Sequence, residues 1–247
     1  MDRKVYVWLF AIAICAGIAV FALLRRTNEK HNAIPLRDVE TMPVDNLETI
    51  KLPEPTLDGE TSLEQALLSR RSIREYRDQP LVLAEVSQLL WAAQGVTDRS
   101  RGFRTAPSAG ALYPLELYIV VGNVQGIPEG VYRYEPDAHE LSRVGQRDVR
   151  DELSRAALEQ SWVRQGAVVI VFSAVYERTT VRYGQRGIRY VDMEVGHAAQ
   201  NVCLQAAALD LGTVVVGAFQ DDQVRQIMGM PDAEDPLYLM PVGRRRP

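Results

Sequence analysis

Three arginines that lie within five positions are the residues of this chain with the most obvious capacity for chemistry. They occur in the segment Ser69-Arg70-Arg71-Ser72-Ile73-Arg74, directly after a short apolar helical pattern. A guanidinium is planar, always charged and able to bind two oxygens at once, so the cluster suits a phosphate dianion. A solvated surface patch has the same composition, and the prediction therefore depends on what other segments bring to these arginines.

A run of small residues precedes a predicted strand and has a composition suited to a flat ligand. It reads Pro107-Ser108-Ala109-Gly110-Ala111-Leu112-Tyr113-Pro114, and small residues let the backbone approach a ligand closely. The alternative is an ordinary loop before a strand. A nucleophilic role for Ser108 is not favoured, because the pattern Gly-x-Ser-x-Gly is absent.

Two later segments extend the same hypothesis. Gly217, followed by Ala218, ends an apolar stretch and again permits close backbone approach, although many strand ends look like this. Near the C-terminus, Arg244 and Arg245 follow Pro241-Val242-Gly243 and are predicted to reach the same phosphate as the first cluster. The alternative for them is a solvated basic tail.

The ligand that these features predict is flavin mononucleotide (FMN). Neither GxGxxG nor GxxxxGK[ST] occurs, so a Rossmann-type or P-loop phosphate site is excluded. A phosphate held by arginine side chains, with small-residue loops around a flat group, is typical of FMN. A flavin performs the redox chemistry itself, which explains the absence of a conventional acid–base constellation.

Composition excludes several other classes. The chain has 247 residues and a formal net charge of -4, which argues against a nucleic-acid-binding protein. Its three histidines are far apart, and its two cysteines have neither the number nor the spacing of a disulfide framework or a zinc site. No metal centre is predicted.

The N-terminal segment Val5–Leu24 is uncharged and almost wholly apolar. At about 1.5 Å per residue in a helix, it spans about 30 Å, the thickness of a bilayer core. We therefore predict an uncleaved single-pass membrane anchor over 1–26, in preference to a cleaved signal peptide. Basic residues flank both ends of the segment, so the side of the membrane on which the domain lies is not predicted.

The rest of the chain divides into a tether and a folded domain. Residues 27–60 are polar and contain four prolines, as in an extended spacer. Residues 61–247 have the pattern of an α+β domain, with helices first and then strands and helices mixed. The first predicted helix begins at a capping box, Thr61-x-x-Glu64. The predicted helices cover 61–69, 83–94, 148–159 and 190–211. The predicted strands cover 115–121, 130–134, 167–174, 213–216 and 237–242.

Several motifs in this order resemble the nitroreductase superfamily. Arg70-Arg71-Ser72-x-Arg74 resembles its opening motif, and the small-residue loop resembles the branch of SagB-type dehydrogenases, which oxidise azolines to azoles in peptides. Further motifs of that branch are Leu52-Pro53-Glu54-Pro55, Tyr183-Gly184-x-Arg186-Gly187 and Glu194-x-Gly196-His197-x-x-Gln200-Asn201. The resemblance covers about residues 51–247.

The resemblance implies an FMN-dependent homodimer with a nitroreductase-like fold, in which helices flank a mixed sheet and a long central helix forms the dimer contact. FMN phosphate and ribityl contacts are implied for Arg70, Arg71, Ser72 and Arg74, with Arg244 and Arg245 returning to the phosphate. The loop of the partner subunit is implied to pack on the flavin ring through Pro107, Ser108, Ala109, Gly110 and Leu112. Backbone contact near flavin N5 is implied for Gly217, with Ala218 beside it.

One departure from the branch bears on the reaction. The branch uses a Lys-Tyr pair for azoline oxidation, and this chain has Arg182-Tyr183. Arginine does not readily deprotonate, so only Tyr183 is expected to keep a catalytic role. We expect a membrane-anchored oxidoreductase that transfers a hydride through FMN from a donor such as NAD(P)H to a quinone or nitroaromatic acceptor. The alternatives are azoline dehydrogenation, a non-catalytic flavin-binding module, and a membrane interaction protein without cofactor.

Overall fold

The structure is a computed structural model of the chain and describes residues 48–246. The strands are β1 (Thr49–Lys51), β2 (Tyr76–Arg77), β3 (Leu81–Val82), β4 (Val96–Asp98), β5 (Phe103–Arg104), β6 (Leu115–Val121), β7 (Val124–Gln125), β8 (Gly130–Glu135), β9 (Glu140–Gly145), β10 (Val168–Ala174), β11 (Leu211–Thr213) and β12 (Asp235–Arg245). The helices are α1 (Leu63–Ser69), α2 (Leu83–Gln94), α3 (Arg150–Ala156), α4 (Trp162–Gln165), α5 (Glu177–Tyr183), α6 (Arg186–Ala208) and α7 (Asp221–Met228), with a short 3-10 turn at Ala109–Ala111.

The most apolar segment of the domain, β10, lies in the middle of an eight-stranded sheet and is buried along its whole length. Successive side chains of a strand point to opposite faces of a sheet. Accordingly, Ile170 and Phe172 join one hydrophobic core, whereas Val169 and Val171 join a second core on the other face. The prediction of a buried central strand is confirmed, and both faces of the sheet are covered by helices.

The strand order of this sheet is β1-β9-β8-β6-β10-β12-β11, and β2 also pairs with β12. Every pairing between its named strands is antiparallel. The predicted α+β class is confirmed, but the main sheet is antiparallel rather than mixed. Within residues 48–246, parallel pairing is limited to the separate β3–β7 pair and to one isolated bridge, Ser72 with Thr213. A short hairpin joins β8 and β9, whereas β6, β10 and β12 pair antiparallel across long connections.

The long helix α6 and helix α2 cover one face of the sheet and share its first core. Helix α6 is buried along the side that faces this core, through residues such as Val195, Ala198 and Val202. Its end differs from the prediction. The helix stops at Ala208, Asp210 takes a positive φ of 53°, and Gly212, the predicted stop, lies inside β11.

The start of α1 also differs in detail from the predicted capping box. The N-cap is Ser62 rather than Thr61, and its side chain accepts a hydrogen bond from the backbone N–H of Gln65 at 3.2 Å. Both residue types cap helices well, so the sequence pattern located the helix start only to within one residue. The consequence for the site is small, because the last residue of the helix, Ser69, lies where it was predicted.

The folded domain begins earlier than Thr61. Strand β1, which falls in the predicted tether 27–60, pairs with β9, and Leu52 is only 2% exposed within the first core. Burying this leucine favours packing of the segment on the domain over a solvated spacer. Residues 27–47 lie outside the described residues.

The predicted fold class is wrong in its N-terminal transmembrane helix. Across residues 48–246 there is no helix with the length and hydropathy needed to span a bilayer. The segment Val5–Leu24, on which that prediction rested, lies outside the described residues. The localisation drawn from it stays a prediction.

Candidate functional site

The arginine segment leaves α1 and runs beside strand β11. Arg70 is the C-cap of the helix. Ser72 then forms a parallel bridge with Thr213, and the backbone N–H of Ile73 donates to the Thr213 carbonyl at 2.9 Å. Two segments that are far apart in the chain are thereby fixed next to each other, and they run in the same direction.

The three guanidiniums of this segment are not neutralised. Arg71 donates through Nη1 to the carbonyls of Leu68 at 2.9 Å and Arg70 at 2.7 Å, which satisfies the end of α1. The guanidinium of Arg74 lies over the ring of Trp162, 5.5 Å from its centroid. In residues 48–246 no carboxylate forms a salt bridge with any of the three arginines. The segment therefore keeps three positive charges for an anion.

Gly217 and Ala218 lie at the end of the chain segment that continues β11. Val216 pairs with Leu239 of β12, and Gly217 follows it at the surface. A Cβ atom on Gly217 would lie 3.4 Å from the ring of Tyr238. The Ala218 carbonyl accepts a hydrogen bond from Gln160 at 2.9 Å. The exposed glycine backbone is thus held firmly without a side chain to cover it.

Trp162 connects these two groups of predicted residues. It stacks under Arg74 and comes two residues after Gln160, which binds the Ala218 carbonyl. Its indole Nε1 is buried and has no hydrogen-bond partner among the described residues, and the same holds for the hydroxyl of Thr213. Unsatisfied buried polar atoms are uncommon in native proteins. Two of them next to three free guanidiniums fit a ligand that carries a phosphate and several hydroxyls, as FMN does.

The C-terminal arginines reach the neighbourhood of this segment but have partners of their own. Arg244 forms two hydrogen bonds with the carboxylate of Glu85 on α2, at 2.6 and 2.9 Å. Arg245 lies 3.5 Å from the exposed carboxylate of Asp210. The structure therefore brings both residues close to the site through strand β12, but it assigns Arg244 to a bidentate ion pair rather than to a free cation.

The small-residue loop adopts a strained backbone. Positive φ angles occur at Gly110 (66°), Ala111 (54°) and Tyr113 (44°), and the last two are uncommon for residues with a side chain. The Ser108 hydroxyl accepts a hydrogen bond from the Tyr113 N–H at 2.9 Å, which closes the loop on itself. Pro107 and Gly110 are exposed, while Ala109 and Leu112 are half-buried. Strain of this kind concentrates at functional sites.

Tyr183 lies against this loop. A Cβ atom on Gly110 would be 2.8 Å from the Tyr183 hydroxyl and 2.9 Å from a guanidinium nitrogen of Arg182. Tyr183 is the last residue of α5, and the helix ends at Gly184, which has a positive φ of 56°. The predicted catalytic tyrosine and the predicted ring-contacting loop are therefore in one place.

The structure adds Glu194 to the residues of the loop region. Its side chain is buried on α6, 2% exposed, and its Oε1 atom has no hydrogen-bond partner among residues 48–246. Burial raises the pKa of Glu194 to about 7, while a hydrogen bond from the Ser108 hydroxyl and the positive charge of Arg104 act in the opposite direction. The sequence analysis named Glu194 only as the first residue of the motif Glu194-x-Gly196-His197 and gave it no role at the site.

Arg104 is a residue of this region that the sequence analysis does not name. Its guanidinium lies over the ring of Tyr113, 4.7 Å from the centroid, and also bonds the amide oxygen of Gln94 at 3.2 Å. Its backbone N–H donates to the Tyr113 hydroxyl at 3.1 Å. Arg104 thus holds Tyr113 of the loop in place. Only its contacts in the structure show this role.

The predicted site residues fall into two groups within one chain. The first group surrounds the arginine segment and Gly217, and the second comprises the loop, Tyr183 and Glu194. Among residues 48–246, no hydrogen bond, ion pair or ring contact links the side chains of one group with those of the other. Arg71, Arg74 and Gly217 of the first group and Gly110 of the second are exposed to solvent, whereas Glu194 is buried.

Comparison with known proteins gives consistent results. The model of the nitroreductase family matches residues 67–244. A protein of Methanocaldococcus jannaschii, provisionally named a nitroreductase, is 52% identical over 198 residues, covering 80% of this chain and 98% of that protein. A crystal structure from Ralstonia eutropha, of a protein with the same provisional name, has a TM-score of 0.72 and 29% identity, covering 87% of this chain and 97% of that chain. The microcin B17-processing protein McbC of Escherichia coli is 28% identical over 156 residues, covering 61% of this chain and 57% of that protein.

Proposed function

We propose that this chain, which belongs to the nitroreductase family of FMN-dependent oxidoreductases, transfers a hydride from a nicotinamide donor to an organic acceptor. Quinones and nitroaromatic compounds are the acceptor classes we favour. The single observation that carries the proposal is the unneutralised arginine segment, which is fixed beside Thr213 on the chain segment that leads to the exposed Gly217. When bound, FMN supplies a ring position that accepts and returns a hydride.

Arg70, Arg71, Ser72 and Arg74 would hold the phosphate and ribityl parts of FMN. Charge-assisted hydrogen bonds from guanidinium to phosphate are stronger than neutral ones, and this segment has no competing carboxylate among the described residues. Gly217 would present its backbone to the flat ring, because no side chain stands between the main chain and the ligand. Arg245 would add positive charge at the rim.

The second group of residues would act on the flavin of a partner subunit. Within one chain the loop has no contact with the arginine segment, which is the arrangement expected when two copies complete each site. Helix α6 supports this, because Met193, Gly196, His197 and Gln200 form an exposed row at helical spacing on it. We therefore propose a homodimer with two equivalent sites at its interface.

Azoline dehydrogenation is the second candidate function. The similarity to McbC, whose name describes it as a microcin B17-processing protein, favours it. The Arg182-Tyr183 pair opposes it, because a guanidinium stays protonated and cannot accept the proton that a lysine amine can. The third hypothesis is a non-catalytic flavin-binding module.

The full chain, purified without added flavin, would test these readings. Our proposal predicts a bound chromophore that absorbs near 450 nm and that bleaches on addition of NADH or NADPH, followed by re-oxidation with menadione at many turnovers per chain. Bound FMN that neither donor reduces would favour the binding module. Oxidation of a synthetic azoline peptide, with no menadione reduction, would favour the peptide dehydrogenase. A colourless protein that does not bind added FMN would contradict all three hypotheses.

A further inference from the structure

Two tyrosines and two arginines form a compact cluster at the junction of α5 and α6. The rings of Tyr183 and Tyr190 meet edge to face, with centroids 5.2 Å apart and planes at 86°. The guanidinium of Arg182 lies 5.4 Å from the Tyr183 centroid, and that of Arg186 lies 5.7 Å from the Tyr190 centroid. We call these four residues the tyrosine–arginine cluster. Each ring carries its own cation.

The two guanidiniums of the cluster are not compensated. Both arginines are exposed, and neither forms an ion pair or a hydrogen bond with a carboxylate in the part of the chain that the structure describes. Arg178, on the same helix as Arg182, shows the contrast, because it pairs closely with the carboxylate of Glu116. Asp192, the acidic residue nearest in sequence on α6, accepts a hydrogen bond from Tyr176 at 2.7 Å. The cluster therefore has a positive surface potential.

The cluster adjoins the loop that we assign to the flavin ring. The Tyr183 hydroxyl and a guanidinium nitrogen of Arg182 both lie within 3 Å of the point where a Gly110 side chain would begin, at 2.8 and 2.9 Å. A substrate that stacks on the flavin would lie between that ring and this surface. It would meet two aromatic rings for its planar part and two cations for an anionic substituent.

A cation over an aromatic ring at an exposed site contributes little to stability. Stability alone therefore does not account for two neighbouring arginines that have no carboxylate partner among the described residues. Planar, rigid guanidiniums are well suited to bind carboxylate or phosphate through two parallel hydrogen bonds. Aromatic rings next to them add a surface for a flat ligand.

We propose that the tyrosine–arginine cluster makes the enzyme selective for planar aromatic acceptors that carry a negative charge, such as a carboxylate. This inference rests on the proposed function, because it assigns the substrate class of that same site. Arg182 and Arg186 bind the anionic group, and Tyr183 and Tyr190 contact the aromatic plane. The arginine that departs from the related branch at position 182 is, in this view, a specificity residue.

The test compares 4-nitrobenzoate with the neutral, nearly isosteric 4-nitrobenzamide as acceptors for the full chain loaded with FMN. The ratio of their kcat/KM values cancels differences in flavin content between preparations. In the double variant Arg182→Gln/Arg186→Gln this ratio is expected to fall about tenfold, because the carboxylate of 4-nitrobenzoate loses both guanidinium partners.

Arg189→Gln is the matched control. Arg189 is an exposed arginine on the same helix as Arg186 and makes no ring contact among the described residues. Its removal lowers the net charge by one, half the change in the double variant, and is expected to leave the acceptor ratio unchanged. A binding measurement without turnover provides an independent readout. Calorimetric titration of the oxidised protein with benzoate is expected to show a dissociation constant about tenfold higher in the double variant and unchanged in Arg189→Gln.

Distinct outcomes separate this inference from the proposed function. If both acceptors are reduced and the double variant keeps the parent ratio, the selectivity assignment is wrong while the oxidoreductase stands. If instead the KM for NADPH rises and that for NADH does not, with the acceptor ratio unchanged, the cluster binds the donor's phosphate and the assignment is overturned. If the loaded parent protein reduces no acceptor, the proposed function fails and the inference fails with it.

Discussion

The loop at Gly110 and the end of helix α5 are in such close contact that Gly110 leaves no room for a side chain below Tyr183. A Cβ atom at position 110 would lie 2.8 Å from the tyrosine hydroxyl. Real Cβ atoms do not approach oxygen this closely, so a larger residue must displace either the loop or the tyrosine. The backbone of Gly110 also has a φ of 66°, which a residue with a side chain adopts only at a cost.

The substitution Gly110→Ala is therefore expected to lower activity more than stability. The positive φ alone costs about 1–2 kcal/mol of unfolding free energy. Displacement of Tyr183 should in addition lower kcat/KM by roughly a hundredfold, because small misplacements of a reacting geometry have effects of that size. Steady-state assays with menadione and thermal unfolding would measure the two effects separately.

The variant Gly229→Ala separates the cost of the positive φ from the effect of a side chain that contacts Tyr183. Gly229 has nearly the same φ, 64°, and a Cβ atom there would meet nothing within 4 Å. This variant should lose a similar amount of stability and keep the parent kcat/KM. Equal activities for the two variants would show that the contact between the loop and Tyr183 has no part in the reaction.

Loss of Arg74 is expected to weaken FMN binding. Its guanidinium has no carboxylate partner among residues 48–246 and is held in place by the ring of Trp162. A charged hydrogen bond contributes about 1.5–3 kcal/mol, so Arg74→Ala or Arg71→Ala should raise the FMN dissociation constant roughly tenfold to a hundredfold. Flavin fluorescence titration would measure it, with Arg77→Ala, an exposed neighbour on β2, as control. Stoichiometric yellow colour in both variants after gel filtration would contradict the phosphate assignment.

Arg244 is expected to act mainly on stability. It forms a two-point ion pair with Glu85, whose side chain is only 15% exposed, and removal of the cation leaves that carboxylate unpaired. Because both groups are partly solvated, we expect Arg244→Met to cost about 1–2 kcal/mol in urea unfolding, less than for a fully buried pair. The double variant with Glu85→Gln should recover part of this loss. A large fall in FMN affinity with little change in stability would instead show that Arg244 binds the FMN phosphate.

Local patterns predicted much of the fold. The bounds of α2 and β6 agree with the sequence prediction residue for residue, because an apolar period and a clear stop signal, such as Gly95, coincide there. Helix α6 was predicted over 190–211 and runs over Arg186–Ala208. It ends early because Gly212 lies in β11, where it packs closely against Ile73. The end of a helix depends on tertiary contacts that a linear pattern does not contain.

The site was predicted in its parts rather than in its contacts. The arginine segment, the loop and Gly217 were found because residue type alone indicates what each can do. The stacking of Arg74 on Trp162, and the pairing of Arg244 with Glu85, join residues that are distant in the chain. Which acid faces which base is decided by the packing of the sheet and helices, and composition does not encode it.

Glu194 leads to a pH-dependence that can be measured without any ligand. Burial raises its pKa from 4.5 to about 7, against the opposing effects of the Ser108 hydroxyl and Arg104. Ser108 and Arg104 both act on its carboxyl, and of the two only Arg104 is charged. Between pH 4.5 and 7 the unfolded chain therefore has an ionised Glu194, while the folded chain keeps it protonated.

The sign follows from proton uptake on folding. The folded state binds the proton more tightly, so this group favours folding below pH 4.5 and loses that contribution as the pH rises to about 7. A shift of this size corresponds to about 3 kcal/mol. Glu194→Gln, which is neutral at every pH, should remove this slope and be more stable relative to the parent at pH 8 than at pH 5. Urea unfolding at both values would measure the difference, with Glu64→Gln, an exposed residue of α1, as control. If the parent and Glu194→Gln showed parallel pH profiles, Glu194 would be ionised in the folded protein, and its carboxylate would have to be paired with Arg104.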